Sequence, residues 1–372
     1  MSSTTYTRLR SIFSKIPTPA TSIKPEPAAE ILPSTSSQHR KIESLVKKFK
    51  ESSDNPRFRR HHSYYEATVR RLANGQHLSA IHDILEHQKK YPDITDERFA
   101  VRLICLYGKA QMVSEAQKLF DDMPSLNCER TVVSFNALLG ACVNSKKFDR
   151  FHELFKEIPE KLSLEPNNVS FNTVIKALCD IGSFDSAVVV MDEMEKNSIM
   201  PDVVTFNTLL DAFYRNSRIE EAEKLWSLME KKNVIANVRS YNSRLRGLVV
   251  DNRISDAVEL IKEMSEKGVK ADNYSYNAVM KGFVDIGNLQ EAKMWYEKMI
   301  ENECIPDKAT FGMLIPFACD KDDFDYAFEL CKKALRIKKA VYNSVVQRVI
   351  DGLADRSKND EAKKLMKMAK FE

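Results

Sequence analysis

Apolar residues along most of this chain recur at helical spacing, and the pattern restarts about every 35 residues. In residues 168–202, one apolar stripe begins at Phe171 and a second at Ala187, with a short polar segment between them. Pro201 and Asp202 then end the second stripe. This arrangement predicts two amphipathic helices joined by a turn, and it is repeated in the next stretch of chain.

An aromatic residue followed by Asn opens each clear repeat. The pair recurs at 135–136, 171–172, 206–207, 241–242 and 276–277. Successive Asn residues lie 36, 35, 35 and 35 positions apart, and a fixed period of this length indicates a solenoid. We therefore predict an all-α, right-handed α-solenoid of about nine helix-turn-helix repeats. The predicted repeats lie near 62–96, 97–131, 132–167, 168–202, 203–237, 238–272, 273–307, 308–338 and 339–372.

Two further rows of residues share this register. Ala recurs at the twentieth position and Met at the twenty-seventh, as Ala116, Ala187, Ala222, Ala257, Ala292 and Ala327, and as Met123, Met194, Met229, Met264 and Met299. A small residue lets two helices approach closely, and the flexible Met side chain fills gaps between neighbouring repeats. We expect both rows, together with Trp226 and Trp295, to be packing residues.

The charge is unevenly distributed along the chain. The formal net charge is +4, but residues 1–40 hold five basic and two acidic residues, which leaves 52 basic against 51 acidic residues elsewhere. The bulk charge of the repeats does not indicate a strong attraction to nucleic acid, so any attraction must come from local arrangement. No apolar run approaches eighteen residues, and no membrane span is expected.

The N-terminal segment has the composition of an organelle-targeting peptide. Residues 1–25 contain no acidic residue, four basic residues and ten Ser or Thr, and Leu9, Ile12 and Phe13 share a helical face. We expect residues 1–40 to comprise a mitochondrial transit peptide and an unstructured linker, with import into the mitochondrial matrix rather than chloroplasts. A plain disordered tail is the alternative.

A basic linker or arm is expected at 41–61. Arg57, Arg59 and Arg60 surround an aromatic residue there, which suits contact with structured RNA or a ribonucleoprotein surface. A solvated linker without a ligand fits the composition equally well.

The sequence carries no motif for catalysis, a cofactor or a metal. It has no P-loop, dinucleotide fingerprint or nucleophile elbow, and its seven cysteines form no CxxC pair. Reduced cysteines acting as small apolar residues are expected, with zinc or disulfide bonding as the alternative. We predict a protein that is not an enzyme and has no cofactor, no metal and no small-molecule substrate.

The repeats resemble the pentatricopeptide repeat family in its pure 35-residue form. The resemblance is carried by NVSFNTVIKALCDIGSFDSAVVVMDEMEKNSIMPD at 168–202 and VVTFNTLLDAFYRNSRIEEAEKLWSLMEKKNVIAN at 203–237, and it covers about 62–372. The related tetratricopeptide repeat has a period of about 34 residues and a Trp/Leu-Gly/Tyr signature that this chain lacks.

The resemblance implies one RNA base per repeat, read by the fifth and the last residue. The implied pairs are Asn136 with Asn167, Asn172 with Asp202, Asn207 with Asn237, Asn242 with Asp272, and Asn277 with Asp307. Family usage implies U for Asn with Asp and a pyrimidine for Asn with Asn, hence a track 5′-(C/U)-U-(C/U)-U-U-3′. Residues at the second position would sandwich the bases, namely Val133, Val169, Val204, Arg239 and Tyr274. From the residues alone, helix capping by the fifth-position Asn residues is the alternative.

Three departures from the family pattern lower the expected RNA affinity. The fifth residue is Val101 in one flanking repeat and Gly312 in another, and the repeat at 132–167 holds one extra residue. At the thirteenth position, where the family often has a Lys near the RNA backbone, this chain has Lys109, Asn144, Asp180, Arg215, Val250, Asp285 and Asp320. Lys109 and Arg215 are candidate backbone contacts, whereas the aspartates oppose RNA binding.

The resemblance extends to short plant mitochondrial members that associate with the mitochondrial ribosome. The strings ERFAVRLICLY at 97–107 and RTVVSFNALL at 130–139 are similar to that subgroup. It implies a structural or accessory component of the mitochondrial ribosome, with ribosomal or single-stranded RNA and mitochondrial ribosomal proteins as partners. Two alternatives stay open, a free factor specific for one organellar transcript and a scaffold that binds only protein.

Overall fold

The computed structural model describes residues 36–337 and 341–369. Most of the predicted transit and linker segment at 1–40 lies outside the described residues. Within them, the secondary structure consists of twenty α-helices and short 3₁₀ turns, with no strand. The predicted all-α class is confirmed. In the part of the chain that the structure describes, no helix is long and apolar enough to cross a membrane.

The chain divides into two compact bodies, one up to Pro201 and one from Asp202 onward. The N-terminal body contains α1 (Ser36–Ser53), α2 (Pro56–Arg60), α3 (His62–Asn74), α4 (Leu78–Glu86), α5 (Glu97–Lys109), α6 (Val113–Asp122), α7 (Val132–Asn144), α8 (Phe148–Leu162), α9 (Asn168–Ile181) and α10 (Phe184–Lys196). The C-terminal body contains α11 (Val203–Arg215), α12 (Ile219–Lys231), α13 (Val238–Val250), α14 (Ile254–Glu266), α15 (Asn273–Asp285), α16 (Leu289–Glu301), α17 (Lys308–Asp320), α18 (Phe324–Arg336), α19 (Asn343–Asp355) and α20 (Asn359–Ala369).

Reciprocal capping fixes the start of the first helix in most pairs. Before α15, the Asp272 carboxylate accepts a hydrogen bond from the backbone N–H of Ser275 at 3.0 Å, and the Ser275 hydroxyl accepts one from the backbone N–H of Asp272 at 3.1 Å. These bonds satisfy N–H groups that have no partner within the helix. The same capping box opens α7, α9, α11, α13, α15 and α17.

The recurring apolar rows form the core of each body. In each of the five clear repeats, the aromatic residue directly before the fifth-position Asn is at most 4% exposed. The same holds for every Ala of the twentieth-position row and every Met of the twenty-seventh-position row. Trp226 and Trp295 are also buried, at 3% and 4% exposure. The packing role predicted for these residues is confirmed.

Residues 41–61 are helical, where the sequence favoured a basic linker. Phe49 of α1 is buried against Phe58 of α2 and Tyr65 of α3, with ring centroids 5.2 and 4.9 Å apart. Edge-to-face contacts between buried rings are stabilising beyond the area they bury. The segment therefore folds onto the N-terminal body because its few aromatic residues find partners that the local charge pattern does not reveal.

The C-terminal repeats keep the 35-residue spacing farther than predicted. The sequence placed a shortened repeat at 308–338, but α19 begins at Asn343, and its N-cap residue Tyr342 lies 35 positions after the N-cap residue Asp307. The Tyr342 side chain makes no capping hydrogen bond. The capping Thr, Asn or Asp that precedes the first helix of most other repeats is therefore missing, and the register was not visible in the sequence.

Candidate nucleic-acid interface

The fifth and last residues of a repeat are joined by a side-chain hydrogen bond. In each case the Asn Nδ2 donates to Oδ1 of the last residue. The four pairs that lie within a single body are Asn136–Asn167 (3.0 Å), Asn207–Asn237 (3.2 Å), Asn242–Asp272 (3.0 Å) and Asn277–Asp307 (3.3 Å). The structure thus brings these predicted partners together. Asn172 bonds Asn168 at 3.2 Å, and Asp202 opens the other body.

A hydroxyl at the third position of the next repeat also bonds the Asn amide. It donates to the Asn Oδ1 in three pairs, as Ser240 to Asn207 (2.6 Å), Ser275 to Asn242 (2.6 Å) and Thr310 to Asn277 (2.8 Å). All three hydroxyl residues are buried. Sequence reasoning missed this row, although a Ser or Thr directly precedes the aromatic residue in every opening string.

The capping alternative is wrong for the fifth-position Asn residues. The N-caps are the last residues of the preceding repeats, such as Asn237 before α13 and Asp272 before α15, whereas Asn242 lies inside α13. An interior Asn has poor helix propensity, and here its amide bonds to the cap of the next repeat. One polar cluster therefore joins the start of one helix to the second turn of its neighbour.

This bonding leaves defined atoms available to a ligand. At Asn237, the backbone N–H groups of Arg239 and Ser240 donate to Oδ1 at 3.0 and 3.1 Å. Because Oδ1 accepts these bonds, the amide orientation is fixed and Nδ2 is left as a donor. At Asp272, the bonds from Asn242 and Ser275 also fall on Oδ1, so Oδ2 is left as an acceptor. An Asn–Asp pair then offers one donor and one acceptor, and an Asn–Asn pair offers two donors.

The pair at 136 and 167 is held less completely. Ser170 donates its hydroxyl to Asn167 Oδ1 at 3.2 Å, and the buried Oδ1 of Asn136 has no hydrogen-bond partner among the described residues. This repeat is also the one that holds an extra residue. The amide of Asn136 is therefore less constrained than those in the C-terminal body.

Side chains at the second position project beside the pairs into solvent. Val133, Val169, Val204 and Tyr274 are about half exposed or more, and Arg239 is exposed. Exposed apolar and aromatic faces of this kind can stack against bases without regard to sequence. Their sandwiching role stays a prediction, but their accessibility fits it.

The aspartates at the thirteenth position are ion-paired, which weakens the repulsion that they were expected to exert on a phosphate chain. Lys176 bonds Asp180 at 3.0 Å, Lys281 bonds Asp285, and Arg348 bonds Asp320. An exposed ion pair has a smaller net field at the distance of a phosphate in physiological salt than a lone carboxylate has. Lys176 and Lys281 lie four residues before their aspartates, and Arg348 lies in the next repeat.

The two candidate backbone contacts at this position are also ion-paired but accessible. Lys109 bonds Glu66, and Arg215 bonds Asp211. Their side chains are 51% and 63% exposed. Exposed pairs of this type are weak and exchange readily, so both cations can still contact a phosphate.

The N-terminal basic stretch is only partly available to RNA. Arg59 is 6% exposed, and its guanidinium donates to Asp93 Oδ2 at 2.7 and 2.9 Å and to the Ser53 carbonyl at 2.7 Å. The hydrogen bonds from Arg59 lower the pKa of Asp93. Arg59 therefore holds the fold together and is not an RNA contact, whereas Arg57 and Arg60 are exposed.

The repeat at 97–131 has a closed cap in place of an open pair. Glu97 Oε1 accepts hydrogen bonds from the backbone N–H and hydroxyl of Thr131 at 2.9 and 2.8 Å, and from the backbone N–H of Ser134 at 3.1 Å. Burial alone would raise the pKa of Glu97, but the hydrogen bonds from Ser134 and Thr131 outweigh it and lower that pKa. With Val101 at the fifth position, this repeat offers no amide to a base.

The cysteines behave as small apolar residues. All seven are free thiols, and five are buried. Burial raises the pKa of Cys142 and Cys331 to about 12, so neither forms a thiolate near neutral pH. Among the residues that the structure describes, no group of three or more His, Cys, Asp or Glu side chains could hold a metal ion.

Comparisons with known proteins agree with the repeat geometry. The profile of the PPR repeat family matches residues 130–180, 166–215, 201–250, 236–285 and 271–320, and that of the PPR repeat matches 102–128. The crystal structure of the pentatricopeptide repeat protein PPR10 from maize is similar with a TM-score of 0.51 and 18% identity, covering 78% of this chain and 46% of that one. At this identity the likeness bears on the fold alone.

Two similar relatives come from Arabidopsis thaliana. The small ribosomal subunit protein mS79 (rPPR3b) is 47% identical over 176 residues, which are 47% of this chain and 45% of that protein. A pentatricopeptide repeat-containing protein named as mitochondrial is 43% identical over 131 residues, 35% of this chain and 31% of its own length. The matches thus span less than half of either relative. Because the family profile covers more than half of the residues, the chain belongs to the PPR repeat family.

Proposed function

We propose that this protein binds RNA as a non-catalytic component of the mitochondrial ribosome. The observation that carries the proposal is the row of Asn–cap pairs in which the fold bonds Oδ1 and one Nδ2 hydrogen of the Asn, as at Asn242, while the second Nδ2 hydrogen remains as a donor for a ligand. A polar pair inside a packed helix start is costly unless it is satisfied. The buried Ser or Thr satisfies it from the protein side, which leaves the remaining donor and acceptor for a base.

The open atoms favour pyrimidines. The donor and acceptor of Asn242 with Asp272 complement the carbonyl and the N3–H of uracil, since a carboxylate can only accept. The two donors of Asn207 with Asn237 complement the acceptors of cytosine and disfavour the N3–H of uracil. Bases would stack between second-position side chains such as Val204 and Arg239, at about 1–3 kcal/mol per base.

Exchange of Asn207 and Asn242 for Thr tests the base assignment. Thr cannot present an amide N–H, so pyrimidine preference should fall at two adjacent positions and shift toward purines. Binding of labelled single strands, with C, U, A or G at those two positions, measures the change. Equal binding to oligo-A and oligo-U by both the native chain and the variant would contradict the proposed base reading.

The ribosomal assignment is supported by the relative mS79, which is a small ribosomal subunit protein, and by the charge of the repeats. The chain beyond residue 40 holds 52 basic and 51 acidic residues. This nearly neutral charge suits docking among proteins and folded RNA more than free capture of a messenger. Tethering within a particle raises the local RNA concentration, so a weak track suffices. A free transcript-specific factor is the competing proposal.

Gradient sedimentation separates these two proposals. A tagged protein should remain with one subunit, here the small one, after ribosomes are dissociated at low magnesium. Transfer of all tagged protein to the top of the gradient would contradict the ribosomal assignment. Sedimentation with polysomes only while one transcript is present would favour the free factor.

The scaffold alternative has lost its supporting observation. It rested on three uncompensated acids at the thirteenth position, and Asp180, Asp285 and Asp320 are each paired with a cation. Nothing else in the described residues favours a groove that binds only a peptide.

We also propose import into the mitochondrial matrix, which is supported by the acid-free N-terminal segment and by the relative that is named as mitochondrial. A fusion of residues 1–60 to a fluorescent protein tests it. Fluorescence in mitochondria that resists added protease in isolated organelles is expected, whereas cytosolic or plastid fluorescence would contradict it.

A further inference from the structure

The repeat after the last amide pair has an open cleft in place of such a pair. Its fifth residue is Gly312 and its last is Tyr342, and a Cβ added at Gly312 would meet no atom within 4 Å. The cleft has a volume of about 630 Å³ and is lined by Gly312, Met313, Pro316, Phe317, Lys308 and Tyr342, among others. A position that carries an amide in the preceding repeats is therefore vacant space here.

Tyr342 gives this cleft an aromatic surface. Its side chain is 55% exposed, and the Lys308 Nζ lies 3.4 Å from the ring centroid. A cation over a ring holds the ring in place and leaves its other surfaces available. Although Tyr342 is the N-cap of α19, its side chain makes no capping hydrogen bond. The ring is thus not required for the start of the helix, unlike the carboxylates of Asp272 and Asp307.

The charges around the cleft suit a phosphate. Lys281, Lys308 and Asp320 line it. Lys281 is ion-paired with Asp285, and Asp320 is ion-paired with Arg348. Lys308 has no carboxylate partner among the described residues, and its ammonium contacts the Tyr342 ring.

We infer that this cleft binds one nucleotide of a single strand, with the base stacked on Tyr342 and the phosphate near Lys308, and without preference for the base. The inference rests on the proposed function, because it places this nucleotide directly 3′ of the base read by Asn277 and Asp307. Every base has a π-face, so stacking on an aromatic ring tolerates any sequence. The missing side chain at Gly312 provides the room.

Oligonucleotides one residue longer than the amide track test the inference. Fluorescence anisotropy with the full chain would compare 5′-CUCUU-3′ with hexamers that add A, C, G or U at the 3′ end. Each added base should strengthen binding about fivefold or more, whereas an added abasic nucleotide should not. Adding the same base at the 5′ end should have a smaller effect.

Variants separate stacking from a general change in the fold. Tyr342→Ala should abolish the gain from the sixth base, and Tyr342→Phe should keep it, because the ring and not the hydroxyl stacks. Gly312→Leu places a side chain in the cleft while keeping the Tyr342 ring, and it should also abolish the gain. Tyr64→Ala is the matched control, since Tyr64 is equally exposed at 55% but lies in the N-terminal body. If Tyr342→Ala fails to fold, Gly312→Leu and the abasic hexamer decide the result.

The outcomes distinguish this inference from the function on which it rests. Binding of the pentamer with no gain from any sixth base overturns the inference alone, and no binding of any strand overturns both. A gain from only one base would indicate recognition of the base edge and would overturn the stacking assignment. The stacking assignment would also be overturned if the Tyr342→Ala variant lost a protein neighbour on the ribosome but kept the gain in affinity from the sixth base.

Discussion

The repeats at 62–131 and those at 203–307 use the same helix pairs but direct their polar side chains differently. In the first group, Glu97 bonds the cap of the following repeat, and Arg59 reaches from the preceding segment to bond Asp93. In the second group, Asn207 and Asn242 each donate one Nδ2 hydrogen to the last residue of the repeat and accept at Oδ1 from a third-position hydroxyl. The first group satisfies its polar atoms internally, and the second keeps one further N–H donor on each Asn amide.

This difference shows that the apolar rows and the polar cluster have separate roles. The buried Ala and Met rows set the helix spacing throughout both groups. In both groups the last residue of the repeat caps the next helix, but only the second group has an Asn amide at the fifth position. Under the proposed function, the repeats at 203–307 contact an RNA strand and those at 62–131 do not.

The largest expected effect comes from breaking the Arg59–Asp93 pair. Arg59→Ala should lower the free energy of unfolding by about 2 kcal/mol, somewhat less than loss of a fully buried pair, because the Asp93 side chain is 28% exposed. Urea denaturation followed by circular dichroism measures it. Arg57→Ala, at an exposed position of the same helix, is the control and should change stability by less than about 0.5 kcal/mol.

The pH dependence of the same variant has a defined sign. Arg59 lowers the folded-state pKa of Asp93, so the stability from this pair is present above the ordinary Asp pKa of about 4 and is lost as the pH falls through the lowered value. The difference between native chain and Arg59→Ala should therefore narrow below about pH 4. An undiminished difference at low pH would assign the effect to packing of the Arg59 stem.

A smaller effect is expected from opening the closed cap. Glu97→Ala removes the acceptor for the backbone N–H groups of Thr131 and Ser134 and should destabilise the protein by about 1–2 kcal/mol. RNA affinity should stay unchanged, because this repeat lacks an amide pair. Thermal unfolding and strand binding are measured together, with exposed Glu129→Ala as the control. A loss of RNA affinity without a loss of stability would break the comparison between closed and open repeats.

The sequence was sufficient for the parts of the fold that repeat. Aromatic, Ala and Met rows appear at fixed positions because each repeat must bury the same face against its neighbours. The sequence was insufficient where a residue's partner is distant along the chain and the contact does not recur from repeat to repeat. Nothing near Arg59 shows that Asp93, 34 residues away, will pair with it. Likewise, Tyr342 carries no capping side chain to mark the start of α19.

The candidate site was predictable only through the family resemblance. Pairing Asn242 with Asp272 follows from the fifth and last positions, whereas local capping chemistry alone suggested a wrong role for the Asn. The bond from Ser275 to Asn242 was visible only as a recurring Ser or Thr whose partner lies in another repeat. Of the ion pairs at the thirteenth-position acids, only Arg348 with Asp320 joins two repeats; Lys176 with Asp180 and Lys281 with Asp285 have the spacing of four residues that the sequence shows.

Charge placed in the open pair should produce a pH-dependent loss of stability. In Asn242→Asp, a second carboxylate would lie near the Asp272 Oδ1, which Asn242 Nδ2 contacts at 3.0 Å. Repulsion raises the pKa of the pair above its unfolded value. Stability is then retained below about pH 4 and is lost as the pH rises through the raised pKa, by about 1 kcal/mol at pH 7.

A charge swap is the matched control for that variant. The double variant Asn242→Asp with Asp272→Asn holds a single carboxylate, and an Asn can cap the helix as Asn237 does. Its stability should depend on pH much as that of the native chain does. Urea denaturation between pH 4 and pH 8 compares the three proteins. Equal pH dependence in the single and double variants would show that the two side chains are not adjacent in solution.

The smallest expected effect compares two cations at equivalent positions. Arg215 lies in a repeat with an open Asn pair, and Lys109 lies in the repeat closed by Glu97. Both acids that hold them keep a second polar neighbour, since Asp211 also bonds Arg246 and the Glu66 carboxylate lies 3.3 Å from His62 Nε2. Each substitution by Ala therefore removes one cation and leaves its acid with a polar partner.

Arg215→Ala should weaken binding to a U-rich single strand a few-fold and reduce the slope of log affinity against log salt by about 0.7, as expected for one phosphate contact. Lys109→Ala should leave both quantities unchanged, because no base is held nearby to bring the backbone within reach. Anisotropy titrations across a salt series measure the two slopes. Equal reductions in both variants would mean that the strand runs past the closed repeats as well. The division between closed and open repeats would then be wrong.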